Sequence, residues 1–307
     1  MNFSVTILGS NSAIPANGRF PSAQVVNIQE QLFLIDCGEG AQIRMADFKI
    51  KRSRIHQIFI SHLHGDHIFG LPGLLNSFAL NGRKAPLEIF SPKGLKQMMD
   101  VIFETTQAHQ SFEIIYHEVD SEQHKLVFQN EKVKVYSIPL KHRIATTGYL
   151  FKEKPFPKNI IPEKIAEYDI PFSKIKEIKN GADFSPFEGT VISNSELVFE
   201  SKVPRSYAYC SDTSYFEKII PFIKNVDLLY HEATYLKDKE KQAAERGHVT
   251  AEQAGQIAKI ADVKKLMIGH YSSRYGDVTP LLDEAKEVFE NSILAIEGET
   301  IKIDFSA

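Results

Sequence analysis

At 307 residues and 34.7 kDa, the chain has material for one large domain or two small ones with a sizeable buried core. A hydrophobic share of 43% against 24% charged residues excludes a disordered chain, and a net charge of -3 gives no global pull on nucleic acid. The opening MNFSVTILGSNSAIP lacks the regions of a signal peptide and no apolar run reaches membrane-spanning length, so a cytoplasmic enzyme without membrane attachment is expected.

Strand-like runs FSVTILG, QLFLID, IHQIFISH and KVKVYSIPLKH fill the first half, with helical spacing between them at about 38–48, 70–80 and 95–106. A segment of different texture follows at 152–190, KEKPFPKNIIPEKIAEYDIPFSKIKEIKNGADFSPFEG, rich in Pro, Lys and Glu. It reads either as a long surface insertion or as a protruding arm that grips something. A second series then runs through the strands RSYAYCSD, VDLLYHEA and VKKLMIGH and the helices TAEQAGQIAKIA and TPLLDEAKEVFE. The halves share a plan without sharing residues, which predicts a layered α/β or α+β fold. Cys37 and Cys210 each sit in an apolar strand-like run and read as buried thiols rather than a disulfide.

The heptapeptide SHLHGDH at 61–67 closes an apolar strand, so His62 and His64 emerge at its carboxyl edge facing one side. Gly65 lets the backbone turn and aims Asp66 and His67 at the same space. Imidazole with carboxylate is a zinc donor set. Three further apolar runs end in a ligand-type residue: YSIPLKH at His142, YAYCSD at Asp212 and LMIGH at His270. Because sites in layered folds gather at the carboxyl ends of strands, these endings are expected to converge with the heptapeptide. Seven donors exceed one closed tetrahedral site and predict two zinc ions, with Asp212 as the bridging carboxylate.

The order IDCGEG, SHLHGDH, His142, SDT and GHYSSRY resembles the metallo-β-lactamase superfamily, and HEAT at 231–234, GHVTAEQA from Gly247 and SSRY at 272–275 resemble its RNase Z branch. The resemblance covers nearly the whole chain. It implies an α+β fold, the metallo-β-lactamase αβ/βα four-layer sandwich, as a single domain over 1–307 with the arm inserted at 152–190. It further implies one zinc on His62, His64 and His142, the other on Asp66, His67 and His270, Asp212 shared, and Asp36 orienting a ligand from behind. The substrate implied is precursor tRNA, cut to remove its 3′ trailer by a homodimer whose arm holds the tRNA elbow. Two stretches depart from the family pattern: IPFSKIKEIKNG where a glycine- and proline-rich signature is usual, and LKHR where an acidic residue usually precedes the histidine.

On that reading Asp66 holds the nucleophile as base, while Glu232, at the end of VDLLYHE, and His248, at the start of a helix, form the acid that protonates the leaving 3′ oxygen. Both also have a plain structural reading, as a strand-end charge and a loop residue. Arg274 suits bidentate phosphate binding, or a surface ion pair. Two rivals share the ligand set: another hydrolase of the superfamily acting on small phosphodiesters or thioesters, and a non-catalytic metal-binding scaffold.

Overall fold

The computed structural model describes residues 1–187, 189–200 and 202–305. The chain divides into two compact units, one comprising Met1–Lys152 and Arg205–Asp304, the other Glu153–Pro204 with Phe305. In the larger unit the first sheet takes β1 (Phe3–Gly9), β2 (Ala23–Ile28), β3 (Gln31–Ile35), β4 (Ile55–Phe59), β5 (Leu87–Ser91) and β6 (Ile114–Glu118) in sequence order. The second takes β7 (Leu126–Gln129), β8 (Val133–Pro139), β9 (Thr147–Glu153), β10 (Ser206–Cys210), β11 (Leu228–Glu232), β12 (Leu266–Gly269) and β13 (Ser292–Leu294), also in order. The last strand, β14 (Thr300–Lys302), returns to pair with β1. Both sheets are mixed: β3 to β6 run parallel, as do β10 to β13, and the remaining registered pairs are antiparallel.

Period-two alternation explains the layers. In β3, Phe33 and Ile35 join the apolar interior shared by the two sheets, while Leu32 and Leu34 point the other way onto the helices Ala41–Asp47, Leu71–Leu80 and Leu95–Thr106. In β10, Tyr207 and Tyr209 face that interior, and Ala208 and Cys210 face the helices Ala251–Ile260 and Thr279–Val288. Helix, sheet, sheet and helix are thus the four layers of the expected αβ/βα sandwich. The interior is aromatic: the rings of Phe59 and Phe90 stack at 4.8 Å, and Tyr149 and Phe151 meet Phe59 edge-on at 5.2 Å. Burying hydroxyls there requires acceptors, and Tyr149 donates to the Ile60 carbonyl at 2.7 Å. Cys37 and Cys210 are unpaired and fully buried, and burial pushes both thiols up.

The smaller unit runs past Thr190 to Pro204 and carries a core of its own from Ile170, Ile178, Phe184, Ile192, Leu197 and Val198. Its short helices Pro162–Glu167, Phe172–Lys179 and Asn194–Leu197 are tied by Asn194, whose amide donates to the carbonyls of Ile178 and Ala182 at 2.7 and 2.8 Å. None of the helices is long and apolar enough to cross a membrane among the described residues.

Candidate metal centre

The site lies where β3, β4, β10, β11 and β12 end, and the residues just past three of those ends share an unusual backbone. Asp36, Asp212 and His270 have φ of 54°, 60° and 59°, in the left-handed region that non-glycine residues avoid. That turn throws each side chain across the strand end instead of continuing the pleat. The loop after β3 packs backbone to backbone on the heptapeptide: Cys37 N donates to the His67 carbonyl at 2.7 Å. A Cβ at Gly38 would stand 2.4 Å from the Asp66 carbonyl oxygen, so only glycine fits.

Asp212 is the centre of the arrangement. Its Oδ2 faces His62 Nε2 at 3.5 Å and His142 Nε2 at 3.7 Å, while Oδ1 faces His67 Nε2 at 3.2 Å and His270 Nε2 at 3.1 Å. His64 Nδ1 adjoins the first group, 3.0 Å from His62 Nε2 and 3.4 Å from His142 Nε2. Asp66 Oδ2 adjoins the second, 3.6 Å from His67 Nε2 and 3.5 Å from His270 Nε2. The seven residues therefore form two donor groups that share one carboxylate, each with its donor atoms within 4.8 Å of one another when Asp212 is counted with the first. All seven named from the sequence are brought together.

These groups suit divalent cations. Burial first, then the neighbouring histidines, drive His62 well below its ordinary pKa, and burial likewise lowers His64 and His142, leaving the neutral imidazoles that metal ligation needs. Against burial, Asp212, Asp36 and Asp66 raise the His67 pKa well above its ordinary value. Despite burial, His270, His67 and His62 hold Asp212 far below the carboxylate range. The buried Nε2 atoms of His67 and His270 face the centre without a hydrogen-bond partner among the described residues. Ring nitrogens without hydrogen-bond partners, gathered around shared carboxylates, are what a bound cation would satisfy.

A second layer of hydrogen bonds aims the donors. Asp36, fully buried, accepts from His67 Nδ1 at 2.7 Å, Ser61 N at 2.7 Å, Ser61 Oγ at 2.9 Å and Tyr209 OH at 2.7 Å. Ser61 Oγ also lies 3.0 Å from His62 Nδ1, so one hydroxyl steers a histidine in each group. His142 Nδ1 donates to the Gly247 carbonyl at 2.8 Å, which turns Nε2 inward. His270 Nδ1 is held by Thr234 Oγ1 at 2.9 Å, and that hydroxyl donates to Glu232 Oε2 at 2.6 Å.

Glu232 is fully buried, and its Oε1 accepts from Thr213 N at 2.7 Å and His248 Nδ1 at 2.9 Å. Burial alone would lower the His248 pKa, but the Glu232 carboxylate outweighs it and raises it to about 9. His248 does not begin a helix, as its context suggested. Gly247 ends the helix Glu240–Arg246 at φ 78°, and the next helix, Ala251–Ile260, starts behind Thr250, which forms a reciprocal cap with Gln253. That stretch of loop is what lets the ring reach the centre.

The donors open onto a cleft of about 660 Å³ whose wall includes Asp66, His248, His270, Tyr235 and the two cations Arg143 and Arg246. The chain has close counterparts among known proteins. The sequence is 46% identical over 302 residues, covering 98% of this chain and 96% of the relative, to a ribonuclease Z of Bacteroides thetaiotaomicron. The chain belongs to the ribonuclease Z family. A ribonuclease Z of Porphyromonas gingivalis is 43% identical, covering 98% of this chain and 99% of the relative. The solved human tRNase Z, short form, covers 98% of this chain and 99% of its own at 27% identity and a TM-score of 0.71. YhfI of Bacillus subtilis, a metallo-β-lactamase fold protein, shares the fold at a TM-score of 0.69 and 19% identity, covering 98% of this chain and all of its own, 100%. Residues 178–271 match the family model described as Beta-lactamase superfamily domain, and residues 3–159 match one described as Anti-Pycsar protein Apyc1.

Within this ribonuclease Z chain the signature residues have separable places. His231 of HEAT turns away, its Nδ1 donating to the Glu232 carbonyl, while Glu232 and Thr234 serve the centre. Arg274 of SSRY is exposed and does not line the cleft; its guanidinium lies 5.0 Å over the Tyr235 ring. Sequence reasoning passed over Ser61, Tyr209, Thr234, Arg143 and Arg246. The only signal for the two arginines was their adjacency, one directly after His142 and the other directly before GHVTAEQA.

Proposed function

We propose that this chain is a zinc-dependent endoribonuclease that cuts the 3′ trailer from precursor tRNA and leaves a 3′-hydroxyl on the tRNA. The observation that carries the reading is Asp212, whose two oxygens face two separate sets of histidine nitrogens, with the pair Glu232 and His248 beside them. One zinc would be held by His62, His64 and His142 and the other by Asp66, His67 and His270, with Asp212 in common. Bound divalent ions supply Lewis acidity at the phosphate and activate water near neutral pH.

The chain's own groups divide the remaining work. Asp66, fixed through Oδ2 by the Ala13 N–H at 2.8 Å, orients the attacking water and takes its proton. His248 is kept charged by Glu232, and with Nδ1 committed to that carboxylate, Nε2 is the atom that hands a proton to the leaving 3′ oxygen. Arg143 and Arg246 offset charge on the phosphates entering the cleft, with Arg274 next along the chain from the cleft-lining Ser273.

The inserted segment, 152–190 as first delimited, acts as the exosite that holds the tRNA at a distance from the chemistry, in a homodimer working in the cytoplasm. Its exposed Phe172 and Phe187, with Lys176 and Lys179 free of carboxylate partners among the described residues, support contact with an RNA backbone and its bases. The test is cleavage of an in vitro precursor tRNA transcript beside a chromogenic phosphodiester and a β-lactam, with product ends mapped. Preferred cutting at the trailer junction, lost on chelation and restored by zinc, is expected. Hydrolysis of the small phosphodiester or β-lactam without any cutting of the transcript would remove the proposal.

A further inference from the structure

The loop that presents His142 has a second cleft on it, of about 690 Å³, and Arg143 lines both this cleft and the catalytic one. His142 itself forms part of the second wall, so the two clefts adjoin at a metal-ligand candidate and its neighbour. The cations Lys141, Arg143 and Lys218 line it against a single carboxylate, Glu122, and none of the three has an ion-pair partner among the described residues. Phe216 and Phe222 supply the apolar wall. Phe222 is stacked on His124 with centroids 4.3 Å apart, which fixes its plane, and Lys218 lies 6.0 Å over Phe216.

Uncompensated positive charge beside aromatic rings is the combination that holds single-stranded nucleic acid, phosphates on the cations and bases on the ring faces. A duplex keeps its bases paired and stacked and has nothing to offer such a cleft, whereas a trailer is free to unstack. We propose that this cleft binds the single-stranded 3′ trailer from its second nucleotide onward, past the bond cut at the Asp212 cluster; the proposal rests on the precursor tRNA reading above. Lys141 and Lys218 would take the backbone, and Phe216 a base.

The holoenzyme is assayed on precursor tRNA transcripts carrying a trailer of a single nucleotide or of several. The parent is expected to bind the longer trailer more tightly, seen as a lower KM. Phe216→Ala and Lys218→Glu should each raise KM for the longer trailer by about tenfold, the scale of one lost base–aromatic stack, with kcat unchanged. Neither should alter KM for the single-nucleotide trailer, and Phe216→Tyr should restore the parent's behaviour. Lys218 is exposed, so its substitution reads the subsite whatever Phe216→Ala does to folding. A parent indifferent to trailer length, or variants that lose the same factor on both transcripts, overturns the subsite. A parent that cuts neither transcript fails differently: it removes cleavage itself, and the precursor tRNA reading falls along with the subsite built on it.

Discussion

Replacing Glu232 by Gln keeps the shape of the side chain and removes the charge that holds His248 protonated. In the parent the imidazole titrates at about 9, against an ordinary 6.5, because the carboxylate 2.9 Å away outweighs burial. With that charge gone the largest opposition to burial is lost, and the pKa falls back toward its ordinary value. For a fall to the ordinary 6.5 the protonated fraction drops about 30-fold at pH 8, about 4-fold at pH 7 and hardly at all at pH 6. Bound cations push parent and variant the same way, so the difference between them survives metal loading. The assay is kcat for precursor tRNA across pH 6 to 9 with metal content and far-UV dichroism measured on the same samples. The alkaline limb should move to lower pH, and the defect should shrink on a nitrophenyl phosphodiester, whose leaving group needs little protonation. A loss of equal size at pH 6 and pH 8, or one equally large on the nitrophenyl substrate, would refute proton delivery by this pair. The same shift sets a sign for stability: a histidine whose pKa is raised on folding stabilises fully below its unfolded value, and that contribution disappears as the pH rises through about 9.

Asp212→Ala removes the one carboxylate shared by both donor groups, so metal analysis should fall from about two ions per chain, with activity lost on every substrate. Asp36→Asn weakens the support of His67 and Ser61, and zinc affinity measured by competition with a chelator should drop about 10- to 100-fold while the ligand set itself is intact. Excising 154–203 with a short Gly-Ser join should sharply weaken precursor tRNA cleavage and spare hydrolysis of a small phosphodiester; equal loss on both, in a folded protein, would make the segment structural. Gly247→Ala forces a side chain onto φ 78° with its Cβ 2.8 Å from His142 Nδ1, so it should cost about 1–2 kcal/mol in denaturant unfolding and weaken metal binding together.

The centre was legible because chemistry was written at the ends of apolar runs. His142, Asp212 and His270 each break a strand pattern with a donor where a pleated chain must leave the sheet, and the heptapeptide concentrates four more. The supporting groups were not legible for the opposite reason. Ser61, Tyr209 and Thr234 occupy positions where a hydroxyl is ordinary, and only the distances to Asp36, His62 and His270 give them meaning. His248 looked like a helix start because TAEQA follows it, yet the cap that stops the helix short is Thr250. The inserted unit was visible by composition, but its end at Pro204 was not. Ile192, Leu197 and Val198 read as the approach to the next strand until they are seen packed on Ile178 and Phe184.

Asp36, Asp212 and His270 all hold left-handed backbone, a conformation costing a non-glycine residue on the order of 1–3 kcal/mol. The same centre crowds five imidazoles and two carboxylates into one buried space. A chain so arranged is least stable when bare. Cations that bind only the folded form add roughly 4 kcal/mol at a thousandfold excess over their dissociation constant, comparable with much of a domain's net stability. If the centre is metal-loaded as proposed, the folded population of this protein should follow the metal supply around it. Depletion of the ion should then leave more chains open to proteolysis, which limited digestion with and without a chelator would measure.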